Sequence, residues 1–194
     1  MTTASIRTRE LILEAARDEF SRHGLAGGRV DRIAKAAGAN VQRIYAYYSD
    51  KQGLFDALVL DAAENLASVI GTDQPGIVEF AGTVFDYVVQ HPANTRTMTW
   101  ARLEREHEFF SMMDSGLTRP TPISAVERLQ EVGLVTTTWE AATILEAIVA
   151  LCERWHSSSP TYGPSDIASH RELVLAFART MAIEPAVSIS PASQ

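Results

Sequence analysis

The stretch RVDRIAKAAGANVQRIYAYYSDKQGLF, residues 29–55, decides the fold of this chain. Val30, Ile33, Ala34 and Ala37 recur at helical spacing. Gly38 follows them as the residue that most easily takes positive φ at a helix C-terminus. Asn40 then stands as the N-cap of a second helix, expected over Val41 to Tyr48. Ile44 and Tyr48 form its inner face, leaving Val41, Gln42, Arg43 and Tyr47 outward. Ser49 and Gln52 have the spacing of a capping box, which predicts a third helix with Lys51 in its first turn. Two short helices joined by a tight turn, the second with long polar side chains near its N-terminus, make a helix-turn-helix reader of DNA.

Outward from this stretch every long periodic segment reads as helix. Ser5 to His23 precedes it, with Ile12, Ala16 and Phe20 on one face. The helix beginning at Lys51 runs to about Ile70 and is broken by GTDQPG. Further helices are expected over Ile77 to Gln90, Ala93 to Met112 and Ile123 to Glu131. Thr137 and Glu140 suggest a capping box for a helix ending near His156, and Ser165 a cap for one through Met181. No strand pattern competes, so the expected fold class is all-α. The expected division is an N-terminal three-helix DNA-binding domain over 1–50, a helical bundle for ligand binding and dimerisation over 51–184, and a flexible tail over 185–194.

The chain has 194 residues, 46% hydrophobic and 21% charged, as in ordinary globular proteins. No apolar run reaches membrane-spanning length, and the polar N-terminus lacks a signal-peptide core. The single cysteine, Cys152, excludes an internal disulfide. These features predict a cytoplasmic protein with no membrane partner. A net charge of −7 looks wrong for a DNA binder. Residues 1–52, however, hold nine basic and six acidic side chains, a balance of +3. The remainder holds eight basic and eighteen acidic ones, a balance of −10. Such asymmetry fits a nucleic-acid-facing end.

A set of positions lines up in one frame without gaps: Ile12-Leu13, Ala15-Ala16, Phe20, Gly24, Ile33-Ala34, Ala37-Gly38, Ile44-Tyr45, Tyr47-Tyr48, Lys51 and Leu54-Phe55. In these the segment Ile12 to Phe55, about a quarter of the chain, resembles the N-terminal domain of TetR-type transcriptional regulators. That family often has a small residue where Gln42 stands, and a pair of hydroxyl residues where this chain has Gly28-Arg29. The second difference suggests that arginine replaces hydroxyls at a backbone contact. The resemblance implies a dimeric regulator, most simply a repressor, that binds a palindromic operator and responds to a small-molecule effector.

The candidate DNA-contacting residues are Arg29, Val41, Gln42, Arg43, Tyr45, Tyr47 and Lys51. Arginine can bond guanine O6 and N7, glutamine can bond adenine N6 and N7, and a valine can touch a thymine methyl. Tyr45 and Tyr47 can rest a ring on the domain and turn a hydroxyl to a phosphate. Lys51 adds charge where a helix N-terminus already favours an anion, and Arg29 follows similar logic.

The resemblance implies an effector pocket in the second domain. Tyr87, Trp100 and His107 are its polar-tipped candidates in a segment rich in aromatics and methionines. Between Ala141 and Cys152 only Thr143 and Glu146 are polar, so this helix must be buried on more than one side. With the wide apolar stripe of the last helix it suggests an isologous four-helix interface. Ile144, Ile148, Leu151, Trp155, Val174 and Phe177 are its candidates.

Enzymatic readings fare worse. Cys152 with His156, and His107 with Glu104 and Glu108, have metal-compatible spacing but no further ligand in sequence. A buried cysteine and a solvated helix face explain them more simply. No nucleophile elbow, phosphate loop or zinc-protease motif occurs. No cofactor is expected. The competing reading is a helical ligand-binding or interaction protein whose helix-turn-helix is vestigial. The outward Gln42, Arg43 and Lys51 argue against it.

Overall fold

The computed structural model describes residues 3–71, 73–114, 122–157 and 164–183. The expected tail at 185–194 lies outside the described residues. Among the described residues there are ten helices: α1 (Thr3–Gly27), α2 (Val30–Ala36), α3 (Val41–Tyr48), α4 (Lys51–Ile70), α5 (Ile77–Gln90), α6 (Pro92–Glu104), α7 (Glu106–Asp114), α8 (Pro122–Glu131), α9 (Ala141–Ser157) and α10 (Pro164–Arg179). The fold is all-α. An isolated antiparallel bridge between Val135 and Ala182 is the one β feature among them.

The chain forms two compact units that do not follow a single cut. One comprises residues 1–68 with 87–119, the other residues 69–86 with 120–194. In the first unit Ile12, Ala16 and Phe20 of α1 meet Ile33 of α2, Ile44 of α3 and Leu54, Phe55 and Leu58 of α4 in one buried cluster. The Phe20 and Phe55 rings pack edge to face at 5.1 Å, an arrangement that gains beyond simple burial. The most extensive helix–helix contact in this unit joins α1 to α6. Ala101 of α6 and Phe109 of α7 complete the cluster.

In the second unit α8 packs on α9 and α9 on α10. Ile144, Ile148 and Cys152 of α9 and Val174 of α10 are buried within the single chain. Asp86 accepts two hydrogen bonds from the Arg171 guanidinium, at 2.9 and 3.0 Å, tying α5 to α10. Burial, with Glu153 and Asp86 adding smaller effects, pushes the Cys152 thiol up to about 12. The thiol is therefore a protonated core group.

Several local expectations need correction. The helix read as Ala93 to Met112 is broken at Arg105, which takes φ −150° and ψ 54°. Its guanidinium is engaged by Asp56 of α4, and that ion pair holds the break in place. The first helix runs past His23 but is kinked at Gly24, where φ is 65°. Ser49 is not the cap of α4: it sits at φ 63° and closes α3. Asp50 caps α4 instead, its Oδ1 accepting from Gly53 N–H at 2.7 Å. Thr137 and Glu140 do not frame a helix start, because α9 begins only at Ala141. The preceding turn is held by Gln130, whose amide donates to the carbonyls of Thr136 and Trp139. Ser165 lies inside α10, which starts at Pro164.

Gly24 meets two demands at once. Its φ is positive, and a Cβ there would lie 2.4 Å from Glu104 Oε1 and 2.9 Å from the Trp100 ring. Gly24→Ala should therefore destabilise the fold by about 2 kcal/mol or more, from backbone strain and overpacking together. Urea unfolding measures this, and an unchanged midpoint would contradict it.

Candidate nucleic-acid interface

The second helix of the reader is set by its cap. Asn40 takes an extended conformation and its Oδ1 accepts from Arg43 N–H at 2.7 Å. This fixes the first turn of α3, from which Gln42 and Arg43 project as exposed side chains. Ile44 and Tyr48 face the core, so the two polar residues are turned away from it by the helical repeat. Val41 is half-buried at the edge of the cluster. Gly38, at φ 62°, allows the tight turn between α2 and α3.

The tyrosines divide their work. Tyr45 is exposed. Tyr47 is half-buried, and its hydroxyl shares a hydrogen bond with Ser5 Oγ at 2.9 Å. Tyr48 is a core residue under Arg9, whose Nε donates to the Tyr48 hydroxyl at 3.3 Å. Burial raises the Tyr48 phenol above its ordinary value, partly opposed by Arg9.

The two cationic candidates outside α3, Arg29 and Lys51, stand at the starts of α2 and α4. Arg29 is the residue before α2, in extended conformation, with an exposed side chain. Its own side chain makes no cap. Glu19 of α1 instead accepts Arg29 N–H at 2.9 Å and Arg32 Nε at 2.9 Å. Lys51 opens α4 and its Nζ donates to Ala26 O at 3.2 Å. The ammonium is thus held at the last turn of α1. An exposed Gln-Arg pair on a capped first turn, with an arginine before α2 and a lysine at the start of α4, supplies the side-chain types that grip phosphates and read base edges.

Two family models match the chain: one described as bacterial regulatory proteins, tetR family, over residues 12–58, and one as tetracyclin repressor-like, C-terminal domain, over residues 76–182. The chain belongs to the TetR family. It is a helix-turn-helix regulatory protein, and its reader is the matched segment just described. The HTH-type transcriptional repressor SCO4008 of Streptomyces coelicolor is 35% identical over 145 residues, which span 74% of this chain and 76% of that protein. The HTH-type transcriptional repressor NicS of Pseudomonas putida is 33% identical over 93 residues, 44% of each chain. The crystal structure of SCO4942 from Streptomyces coelicolor superposes with a TM-score of 0.72 at 27% identity, covering 92% of this chain and 99% of that one.

The effector candidates of this TetR-family chain sit in three different settings. Tyr87 is buried, donating to Ala62 O at 3.2 Å and accepting from Asn94 Nδ2 at 2.8 Å. Burial raises its phenol above the usual value, with the Asn94 bond acting the other way. Trp100 is half-buried and its indole N–H donates to Ser21 O, at the end of α1, at 3.3 Å. His107 is exposed on α7. Asn94 Oδ1 and Arg17 Nε, both buried, have no hydrogen-bond partner among the described residues.

Of the interface candidates, Ile144, Ile148 and Val174 face the subunit's own core, while Leu151 and Phe177 are half-buried. The Trp155 side chain lies outside the described residues. On α10 Leu173 is a large apolar side chain left 54% exposed. Among the described residues no helix is long and apolar enough to cross a membrane. No group of three or more His, Cys, Asp or Glu residues among them is arranged to hold a metal.

Sequence reasoning missed the carboxylates that hold the reader. Glu104 accepts from Leu25 N–H at 2.8 Å and from Ala26 N–H at 3.2 Å. Its partners are backbone amides nearly eighty positions away, and no local pattern encodes such a pairing. Gly24 was the available signal, since a glycine amid helix formers marks a close approach.

Proposed function

We propose that this chain is a ligand-responsive repressor that binds a two-fold symmetric DNA operator as a homodimer. The observation that carries this reading is the exposed Gln42-Arg43 pair on the capped first turn of α3. A recognition helix presents base-reading side chains from this turn. Arg43 bonds guanine, Gln42 bonds adenine, and Val41 meets a thymine methyl. Tyr45, Tyr47, Lys51 and Arg29 grip phosphates on either side. Repression follows the naming of the relatives as repressors. The reader corresponds to residues 1–50, and residues 51–184 supply effector binding and dimerisation.

The effector is a mainly apolar small molecule oriented by a few hydrogen bonds. Tyr87, Trp100 and His107 remain its proposed polar contacts, with Asn94 Oδ1 beside Tyr87 as an acceptor still to be satisfied. An effector that prefers a reader spacing unlike that of successive major grooves shifts the population away from DNA. The switch is then reciprocal: DNA must weaken effector binding by the same factor.

Base reading and phosphate gripping separate experimentally. Arg43→Ala should cost about 1–3 kcal/mol and relax preference at one base pair. Lys51→Ala should weaken all sequences alike and lower the salt slope by about one unit. Anisotropy titrations on selected and random duplexes test both. Equal losses on the two duplexes for Arg43→Ala would remove its base-reading role.

Assembly rests on the exposed side of α9 and α10. Leu173→Glu should shift a folded protein from dimer toward monomer in sedimentation velocity at micromolar concentration. Ile148→Glu should unfold the chain, since Ile148 is wholly inside the subunit. A wild-type monomer at that concentration would refute dimeric docking.

A further inference from the structure

The last turns of α1, on both sides of the kink at Gly24, are gripped from outside the reader. Trp100 and Glu104 are four residues apart and so lie on one face of α6. Trp100 donates to Ser21 O, the last helical stretch before the kink. One turn further on, Glu104 takes the amides of Leu25 and Ala26 just after it. Gly24, between these two contacts, has no side chain to hold the helices apart. Arg105, next in sequence, engages Asp56 on α4. The end of α6, with Arg105 that follows it, thus holds both the end of α1 and the helix that follows α3.

We propose that Glu104 is a positioning residue for DNA binding. It acts through the backbone of residues 25–28, and it touches no DNA itself. The amide of Ala26 is held by Glu104, while the carbonyl of the same residue takes the Lys51 ammonium. Gly28 then bonds back to Gly24 O at 3.1 Å, and Arg29 begins α2. A segment clamped in this way ties together two parts of the interface: the Lys51 charge, on Ala26 O, and Arg29, which follows Gly28. Without the carboxylate, two backbone N–H groups lose a charged acceptor and the turn relaxes. The phosphate contacts then survive in number but no longer in register.

The inference rests on the DNA-binding reading, and the experiment separates the two. The probe is the duplex that the wild-type protein selects from a random pool. Glu104→Leu removes both acceptor oxygens at similar size, and Glu104→Gln keeps one. The leucine variant should bind that duplex about tenfold or more weakly, the scale of a lost charge-assisted bond. The glutamine variant should fall between it and wild type. Because no phosphate contact is deleted, the salt slope should stay at the wild-type value in both, unlike that of Lys51→Ala. Amide hydrogen exchange at Leu25 and Ala26 should quicken in the leucine variant while α3 stays protected. Wild-type affinity in the folded leucine variant would overturn the proposal, as would a salt slope lowered by a full unit. Should the leucine variant fail to fold, the glutamine variant decides by the same two readouts. Failure of the wild-type protein to select any duplex would refute the DNA-binding reading itself, and the exchange rates would still report whether Glu104 holds the turn.

Discussion

The reader depends on one close approach. The Phe20 ring is wholly buried in the first unit, edge-on to Phe55, and the chain at Gly28 passes directly over it. A Cβ at Gly28 would come within 2.5 Å of that ring, so the turn passes only as glycine. Gly24 gives the kink and Gly28 gives the clearance. Between them runs the last turn of α1, and α2 begins two residues after Gly28. The tight turn at Gly38 and the Asn40 cap then set α3 relative to α2. The directions of Gln42 and Arg43 are thus set by packing two helices away.

This reader is small, and its termini would fray without outside acceptors. Two carboxylates supply them. Glu19 serves the start of α2 from within the reader, and Glu104 serves the end of the α1 segment from α6. Both accept backbone amides, which fixes the path of the chain more firmly than side-chain pairs on the surface do. The segment matched by the C-terminal family model therefore contributes to the compact unit that contains the DNA-reading helices.

The sequence carried the helix-turn-helix well because its signals are local. Asn40, Gly38, Ile44 and Tyr48 each act within a few residues, and the extents of α3, α4 and α5 came out as read. Where the outcome depended on distant partners, the reading failed. Arg105 breaks a periodic stretch because Asp56 claims it. Spacing alone makes Ser49 a cap, yet Ser49 sits at positive φ at the end of α3 and Asp50 caps α4 instead. The hydrogen bonds of Tyr87 to Ala62 and Asn94, and of Trp100 to Ser21, likewise join positions that no local pattern pairs. Periodicity marked Ile144, Ile148 and Val174 as buried without distinguishing the subunit's own core from a partner's surface.

The central claim is that α3 reads bases in the major groove, twice, in a symmetric complex. Methylation interference on the selected duplex tests it most directly, since guanine N7 is where Arg43 would bond. The expected result is two interference sites, symmetric about a centre, separated by about one turn of duplex or a multiple of it, near 34–36 Å per turn. Full binding to duplex methylated at every guanine N7, or interference in a single half-site without a symmetric counterpart, would contradict it.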